Sequence, residues 1–371
     1  MKAKLSRFLA WMVMFMTIAA FAAPANAATT YTPIGGSTTI TKNLVVASDA
    51  NIPDITFAYT ITRGTAVAAT ATTIEILASD VAATIGSASY SNADTAHTFA
   101  GLPADADPSN PTAGYKYAQK SVTVTFPDGS FTKPGVYRYV INETNGGKPG
   151  VSYDATPRYL DVFVVANDAN VLSVQSYVLR SEATDIGLTG DYISSPGEKS
   201  GGYTNEITQC DFDFSKTIDG NQGDKNKRFT FTLTISSAIP GVYPITSTDV
   251  TGNPSTIIVA SDGTASATYD LTNGSTLSVL KLNQGAVCTV SEDAQDYTAT
   301  HVVDNGQSVS GSSANPITLT DDSHSVAFTN TRDGIIPTGV IVTVAPFAIG
   351  LLVFGTGLVY MVARKLRLEE D

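Results

Sequence analysis

The sequence predicts an all-β protein, and three observations support this fold class. Short runs of alternating apolar and polar residues recur along the chain, for example residues 229–235. Clusters of Gly, Pro, Asn and Asp separate these runs, whereas long stretches with the helical period of 3.6 residues are absent. A central part of roughly 300 residues has the length of two domains. We therefore expect two tandem sandwiches of the immunoglobulin kind.

The N-terminus has the features of an export signal covering residues 1–27. Lys2, Lys4 and Arg7 form a basic start, and residues 8–21 are uncharged and mostly apolar. A small-x-small cleavage site follows, ending at Ala27. A permanent membrane anchor is the alternative, but the apolar run is short for a span. We expect the mature chain to begin at Ala28.

The C-terminal segment, residues 334–371, has the order of a sortase cell-wall sorting signal. Residues 340–363 carry no charge and are long enough to cross a bilayer, and a basic tail follows them. The motif before the span consists of Ile336, Pro337, Thr338 and Gly339. In such signals a transpeptidase cuts between Thr and Gly and joins the Thr carboxyl to an amine. The alternative is a tail-anchored surface protein in which Pro and Gly merely mark a loop.

Charge and composition exclude several function classes. Residues 28–338 contain 16 Lys and Arg against 31 Asp and Glu, a net charge of −15. This balance opposes binding to nucleic acid and suits an exported protein. The three histidines are scattered, so we expect surface or loop positions for His97, His301 and His324. Residues 219–224 resemble a calcium loop but lack its closing Glu, so we expect a hairpin turn, no metal and no cofactor.

A set of three polar residues occurs twice in the same order. In each set a Lys lies in an early alternating run, a Glu ends a later run, and an Asn follows an aromatic-Thr pair. The two sets are Lys42, Glu143 and Asn205, then Lys216, Glu292 and Asn330. The repeat places a domain boundary near Thr208, with domain 1 at residues 28–207 and domain 2 at residues 208–333.

Strand periodicity predicts that these polar side chains point into the core. Side chains alternate between the two faces of a strand, so Lys42 shares a face with Ile40 and Leu44. The same parity places Lys216, both Glu residues and both Asn residues beside large apolar neighbours. Buried polar groups of this kind must pair with one another, because an unpaired buried charge costs several kcal/mol.

Burial of such a set favours covalent chemistry. Removal from water disfavours the ammonium form of Lys, and the neutral amine is a nucleophile. A protonated Glu can donate to the Asn carboxamide oxygen, polarise the carbon and pass a proton to the departing ammonia. The product is a Lys–Asn isopeptide bond, formed once per molecule. The alternative is a buried ion pair beside a hydrogen-bonded amide, but two sets that each join a first to a last strand favour the crosslink.

The chain also resembles the major, or backbone, pilins of Gram-positive sortase-assembled pili, of the streptococcal T-antigen type. The similar stretches are residues 41–44, 52–57, 133–137, 149–154 and 337–346. The resemblance implies two immunoglobulin-like domains of the collagen-adhesin B type. It implies bonds from Lys42 to Asn205 with Glu143 as catalyst, and from Lys216 to Asn330 with Glu292. It further implies a structural subunit and not an enzyme.

In the same family an exposed lysine attacks the Thr338 acyl intermediate of the next subunit. The Tyr-Pro-Lys motif of many backbone pilins is absent here. In the T-antigen type the lysine lies a few residues before the acceptor Asn of domain 1, which corresponds to Lys199, on a Gly/Ser-rich loop. Lys148 and Lys120 are the alternatives.

The resemblance also implies partners and a location. We expect a fibre on the surface of a Gram-positive cell wall, built from identical subunits by a pilus-class sortase. Peptidoglycan or a basal pilin would hold its base, a tip adhesin would be a further partner, and nucleic acid would not. The alternative is a solitary wall-anchored adhesin with the same domains.

Two cysteines, Cys210 and Cys288, both lie in domain 2 with inward parity. An exported chain with two cysteines favours a disulfide between them. The alternative is two buried thiols.

Overall fold

The structure, a computed structural model, describes residues 30–78, 82–98, 114–189, 192–194, 199–249, 252–320 and 323–334. Every regular element in these ranges is a β-strand, so the all-β prediction is confirmed. None of these ranges contains a helix long and apolar enough to cross a membrane. The export signal, the loop residues 195–198, the sorting motif and the C-terminal span lie outside the described residues.

The strands that precede Thr208 form two packed sheets and two small two-stranded sheets. The strands are β1 (Ile34–Ala47), β2 (Ile55–Phe57), β3 (Tyr59–Arg63), β4 (Ile76–Leu77), β5 (Thr84–Ile85), β6 (Ala88–Tyr90), β7 (Ala96–His97), β8 (Tyr115–Phe131), β9 (Gly135–Glu143), β10 (Val151–Ser152), β11 (Arg158–Ala166), β12 (Leu172–Arg180), β13 (Gly187–Thr189), β14 (Tyr192–Ser194) and β15 (Gly202–Ile207). One sheet has the order β10-β15-β1-β8-β5, with β7 also on β8. The facing sheet has the order β12-β11-β9-β3, with β4 on β9. The two small sheets are β2-β6 and β13-β14.

The strands that follow Thr208 form a second sandwich. They are β16 (Gln209–Asp219), β17 (Phe229–Ser236), β18 (Gly241–Ser247), β19 (Thr256–Val259), β20 (Ala265–Leu271), β21 (Thr276–Asn283), β22 (Val287–Glu292), β23 (Thr298–Val303), β24 (Val309–Ser310), β25 (Ile317–Thr318) and β26 (His324–Thr331). One sheet has the order β19-β18-β21-β16-β26-β23-β24 and the other β20-β17-β22-β25.

Each sandwich has its own apolar core, formed by the inward residues of both sheets. The alternation is clearest in β16, where Phe212, Phe214 and Ile218 have no exposed surface. Lys216 occupies the same face of this strand and is equally buried. The strand thus carries a cationic side chain into an apolar interior, as its parity predicts.

The first and last strands of each sandwich are neighbours that run parallel. In domain 1, β1 lies between β15 and β8 and pairs with β15 over residues 41–45. In domain 2, residues 212–219 of β16 pair with β26. Parallel pairing of the terminal strands brings the Lys of one strand beside the Asn of the other.

The two sandwiches meet directly at Thr208. Across the junction, the Asp54 N–H donates to Pro240 O at 2.8 Å, and the Asn51 side chain donates to Val242 O at 2.8 Å. Gly150 has a positive φ of 74°, and a Cβ there would lie 2.8 Å from Gln284 O. Only glycine therefore allows the two backbones to approach this closely. These contacts indicate a fixed junction.

Two expectations from the sequence were wrong in detail. Residues 219–224 form no hairpin, because β16 already has a neighbour on both edges and the chain crosses to the other sheet. His301 is buried at 5% exposure, since its parity in β23 points inward beside Phe328.

Candidate functional site

The strand register brings Lys42 and Asn205 to one face of the sheet. Lys42 lies opposite Tyr203 in the parallel pair, and Asn205 lies opposite Leu44. The two side chains are therefore offset by two residues, which keeps both on the core face. Gly202 has a positive φ of 131° and packs directly against the Thr41 backbone, so β15 can begin this close to β1.

The second pair of strands repeats this arrangement. Lys216 lies opposite Phe328, and Asn330 lies opposite Ile218. The offset between Lys and Asn is again two residues, with the Asn further along the strand direction. The two domains thus place their reactive groups by the same register.

In domain 1 a single carboxylate connects the other two groups. Lys42 Nζ donates to Glu143 Oε2 at 2.5 Å, and neither side chain is exposed. Asn205 Nδ2 donates to the other oxygen, Glu143 Oε1. Glu143 therefore contacts both the nitrogen that would attack and the nitrogen that would leave.

In domain 2 the carboxylate and the lysine are paired, but the amide is not. Lys216 Nζ donates to Glu292 Oε1 at 3.0 Å and to Oε2 at 2.8 Å. Asn330 has no exposed surface, and neither its Nδ2 nor its Oδ1 is hydrogen-bonded to any described residue. A buried carboxamide without partners costs about 1–3 kcal/mol, so this arrangement destabilises the unreacted Asn330 side chain.

Burial changes the protonation of both lysines. Removal from water lowers the pKa of Lys42 to about 8, although the neighbouring Glu143 charge acts in the opposite direction. The pKa of Lys216 falls to about 8 for the same reason, again against the attraction of Glu292. These shifts reduce the free-energy cost of the neutral amine by roughly 3 kcal/mol each. Both lysines are therefore prepared for nucleophilic attack.

An aromatic ring lies under each lysine, a feature that the sequence analysis missed. Lys42 Nζ is 4.3 Å from the centroid of the Phe57 ring, and Lys216 Nζ is 4.2 Å from that of Phe229. Each ring is two residues before the residue that pairs with the Glu of its set, which is Tyr59 in domain 1 and Phe231 in domain 2. The rings exclude water from the amine. The signal in the sequence was an aromatic-x-aromatic pattern, at residues 57–59 in domain 1 and 229–231 in domain 2, which also occurs elsewhere in both domains.

A second missed contact involves Asp154. Its backbone N–H donates to Asn205 Oδ1 at 3.2 Å. The carboxamide of Asn205 thus has a partner at each end, Glu143 at the nitrogen and Asp154 at the oxygen. No sequence pattern identifies a backbone donor, because any residue except Pro carries one.

The three candidate polymerising lysines have different surroundings. Lys199 is exposed and forms a β-bridge with Arg180, just before the last strand of domain 1. Lys148 is also exposed and lies near the domain junction. Lys120 is only a third exposed and pairs with Asp94 at 2.5 Å. Accessibility therefore favours Lys199 and Lys148 over Lys120.

Cys210 and Cys288 are both buried thiols in the structure, which has no disulfide between them. Burial raises the pKa of Cys288 to about 12, with a smaller contribution from Cys210. A thiol with such a pKa is unreactive at neutral pH. The structure therefore has two buried thiols, which were the alternative to the disulfide expected from the sequence.

Within the described ranges, no three His, Cys, Asp or Glu side chains cluster as metal ligands would. His97 lies exposed in β7, and His324 Nδ1 hydrogen-bonds with Asp304 Oδ2 at 2.8 Å.

Two family models match separate parts of the chain. Residues 38–205 match the family described as Spy0128-like isopeptide containing domain. Residues 211–332 match a domain of unknown function, DUF7601.

Curated relatives extend the similarity over most of the chain. A protein named Pilin from Streptococcus pyogenes serotype M1 is 29% identical over 349 residues, which are 89% of this chain and 91% of that protein. The pilus tip adhesin Cpa of Streptococcus pyogenes is 34% identical over 130 residues, 34% of this chain and 17% of the adhesin.

Solved structures show a similar fold. The crystal structure of the major pilin from Streptococcus pyogenes has a TM-score of 0.51 and 24% sequence identity, and the match covers 80% of this chain and 99% of the other. This likeness supports a common fold of two tandem sandwiches.

Proposed function

Since this chain belongs to the pilins of Gram-positive bacteria, we propose that it is the structural backbone subunit of a covalent pilus, closed internally by two autocatalytic Lys–Asn isopeptide bonds. The observation that carries the proposal is the bridge made by Glu143, which is hydrogen-bonded to both Lys42 Nζ and Asn205 Nδ2. The same three residue types lie on one face of the equivalent strands in domain 2.

The reaction in domain 1 begins with a proton transfer inside the buried pair. The Lys42 ammonium gives a proton to Glu143, and the neutral Nζ attacks Asn205 Cγ. The new bond joins Nζ to Cγ as the carbonyl electron pair moves onto Oδ1. Glu143 passes its proton to Nδ2 and takes the second surplus proton from Nζ, so that it ends protonated. The Cγ–Nδ2 bond then breaks and ammonia leaves. In domain 2, Lys216, Glu292 and Asn330 have the corresponding roles.

Polymerisation would use a different amine and a sortase. The enzyme would cleave after Thr338 and transfer the Thr338 carboxyl to Lys199 of the next subunit. Lys199 suits this role because it is exposed beside the end of domain 1 and remote in sequence from Thr338. Peptidoglycan or a basal pilin would receive the last subunit, so the fibre would stand on the cell wall.

Intact mass of the secreted chain tests the internal bonds. We expect a mass lower than the sequence mass by two molecules of ammonia. Glu143→Ala and Glu292→Ala should each lose only one ammonia from their own sequence mass, because each substitution removes the proton carrier of one domain. Asp296→Ala, which changes an exposed carboxylate, is the matched control and should retain both bonds. A wild-type chain at its full sequence mass would refute the proposal.

Covalent multimers on denaturing gels test whether the chain polymerises into a fibre. Co-expression with the pilus sortase should give a ladder on denaturing gels, and Lys199→Ala should abolish it. Lys148→Ala and Lys120→Ala serve as controls and should leave it intact. An unchanged ladder from the Lys199→Ala chain would eliminate this lysine.

A solitary wall-anchored adhesin is the second candidate, favoured by the match of 130 residues to a pilus tip adhesin. It would use the same crosslinked domains. A monomer released from the wall, with no ladder in the presence of any pilus sortase of the same organism, would support this alternative.

A further inference from the structure

The carbonyl oxygen of Asn205 has a hydrogen-bond donor of its own. The Asp154 backbone N–H donates to Asn205 Oδ1 at 3.2 Å, while Asn205 Nδ2 donates to Glu143. A carboxamide has an acceptor at one end and donors at the other, so these two partners define its orientation. The oxygen faces the peptide amide and the leaving nitrogen faces the carboxylate.

The Asp154 amide is available because its strand is short. The strand β10 pairs with β15 only through Val151 and Ser152, so the next residues leave the ladder. The Asp154 side chain then holds the residues that follow it in place. It accepts from the Thr156 N–H at 2.9 Å and from Arg158 Nη2 at 2.6 Å. The amide is thus held in place before any reaction occurs.

The position of this donor matters for the chemistry. When Lys42 Nζ adds to Asn205 Cγ, an electron pair moves from the carbonyl bond onto Oδ1, which becomes negatively charged. A fixed N–H aimed at that atom stabilises the charge without reorganisation. We propose that the backbone N–H of Asp154 is the oxyanion donor for isopeptide formation in domain 1. It keeps its own proton throughout, and the proposal rests on the bond between Lys42 and Asn205 proposed above.

Domain 2 provides the contrast. Its strand β23 pairs with β26 through all of residues 298–303, and Ala299 lies opposite Asn330. The backbone there takes part in a continuous ladder, and Asn330 Oδ1 has no hydrogen bond from any described residue. The domain 2 bond is therefore an internal reference that lacks this donor.

The decisive variant replaces the peptide N–H by an ester oxygen. Incorporation of the α-hydroxy acid analogue of Asp at position 154 removes the donor and keeps the side chain. We expect the domain 1 bond to form on the order of a hundredfold more slowly, as for loss of an oxyanion donor in enzymes. The domain 2 bond should form at the wild-type rate. Both rates come from peptide mass analysis of samples taken during cell-free synthesis.

Two further substitutions separate the N–H from the side chain. Asp154→Pro also lacks the N–H and should be slow, whereas Asp154→Asn keeps the N–H and should react faster than both the ester and the proline chains. Each change is also placed in a Glu143→Ala chain, where thermal unfolding reports whether domain 1 has folded. A wild-type rate in a folded ester or proline variant would overturn the proposal, and so would an Asp154→Asn chain as slow as the ester.

A last measurement needs no change at position 154. In the Glu143→Ala chain, which retains Asn205 unreacted, hydrogen exchange should show a protected Asp154 amide. Exchange at the rate of a solvated amide would overturn the proposal. If the wild type itself forms no bond in domain 1, the proposed function fails instead, so the two failures are distinguishable.

Discussion

Asn205 lies two register positions beyond Lys42 on the adjacent parallel strand, so that their side chains leave the same face of the sheet. The equivalent pair in domain 2 has the same offset. A shift of one residue would turn one of the two groups to the opposite face. The proposed crosslink therefore depends on the register, which the backbone ladder sets before any reaction between the side chains.

The rate of bond formation should depend on pH in a way that identifies the proton carrier. Because the pKa of Lys42 is lowered to about 8, the Lys42–Glu143 pair holds one shared proton below that pH. Glu143 must deliver this proton to the departing ammonia. We expect a flat rate from neutral pH to about 8 and a fall of about tenfold per pH unit above it.

The measurement is the time course of the domain 1 bond in chains synthesised and folded at each pH. Domain 2 should show the same profile, since the pKa of Lys216 is also about 8. A rate that rises steadily up to pH 8 would show that Lys42 loses its proton to solvent before attack.

Removal of one crosslink should lower the stability of its domain. Asn330→Ala prevents the bond but leaves the Lys216–Glu292 pair intact. By chain entropy the lost closure of this long loop costs about 5 kcal/mol. The Tm of domain 2 should fall by roughly 20 °C in calorimetry. Thr300→Ala, on the neighbouring strand β23, is a control with an expected change of only a few degrees. An equal Tm for both variants would contradict a stabilising bond.

A buried charge cluster should contribute more to the free energy of unfolding than any surface ion pair. Asp161 has no exposed surface and accepts from Arg138 Nε at 2.7 Å and from Arg180 Nε at 2.8 Å. Asp161→Asn would leave two buried cations without their counter-charge, which typically costs about 3–5 kcal/mol. Chemical denaturation in an Asn205→Ala background measures this cost without interference from the crosslink.

The matched control for this cluster is Asp296→Asn. Asp296 is half exposed and pairs with Lys227 at 2.8 Å. Such a pair contributes less than about 1 kcal/mol. Equal losses at positions 161 and 296 would show that burial does not govern the strength of these ion pairs.

Tension along a fibre should bypass most of the molecule. If Thr338 joins Lys199 of the next subunit, force enters at β26, crosses from Asn330 to Lys216, and returns to Asn205 and Lys199. We expect no domain 2 unfolding step when single wild-type polymers are pulled. An Asn330→Ala polymer should show that step. Its presence in the wild type would contradict this force path.

Much of the site could be predicted from the sequence because strand parity is local. The alternation in β16 alone indicates that Lys216 points inward, and a repeated set of the same residue types indicates a common role. The predictions of a disulfide and of a surface position for His301 do not match the structure. Each depends on how strands pack and not on the pattern within one strand. The aromatic rings beside the lysines had a signal, but its meaning depends on which strand lies across the core.

The sequence by itself determined the all-β class, the division near Thr208 and the inward direction of both Lys-Glu-Asn sets, since these follow from periodicity and repetition. Only the tertiary structure decided the two-residue offset between Lys42 and Asn205, the bridging position of Glu143 and the Asp154 N–H at the Asn205 oxygen. These relationships join residues far apart in the chain, and they exist only when strands pair in register and two sheets pack face to face. Local patterns carry no information about the distances between such groups.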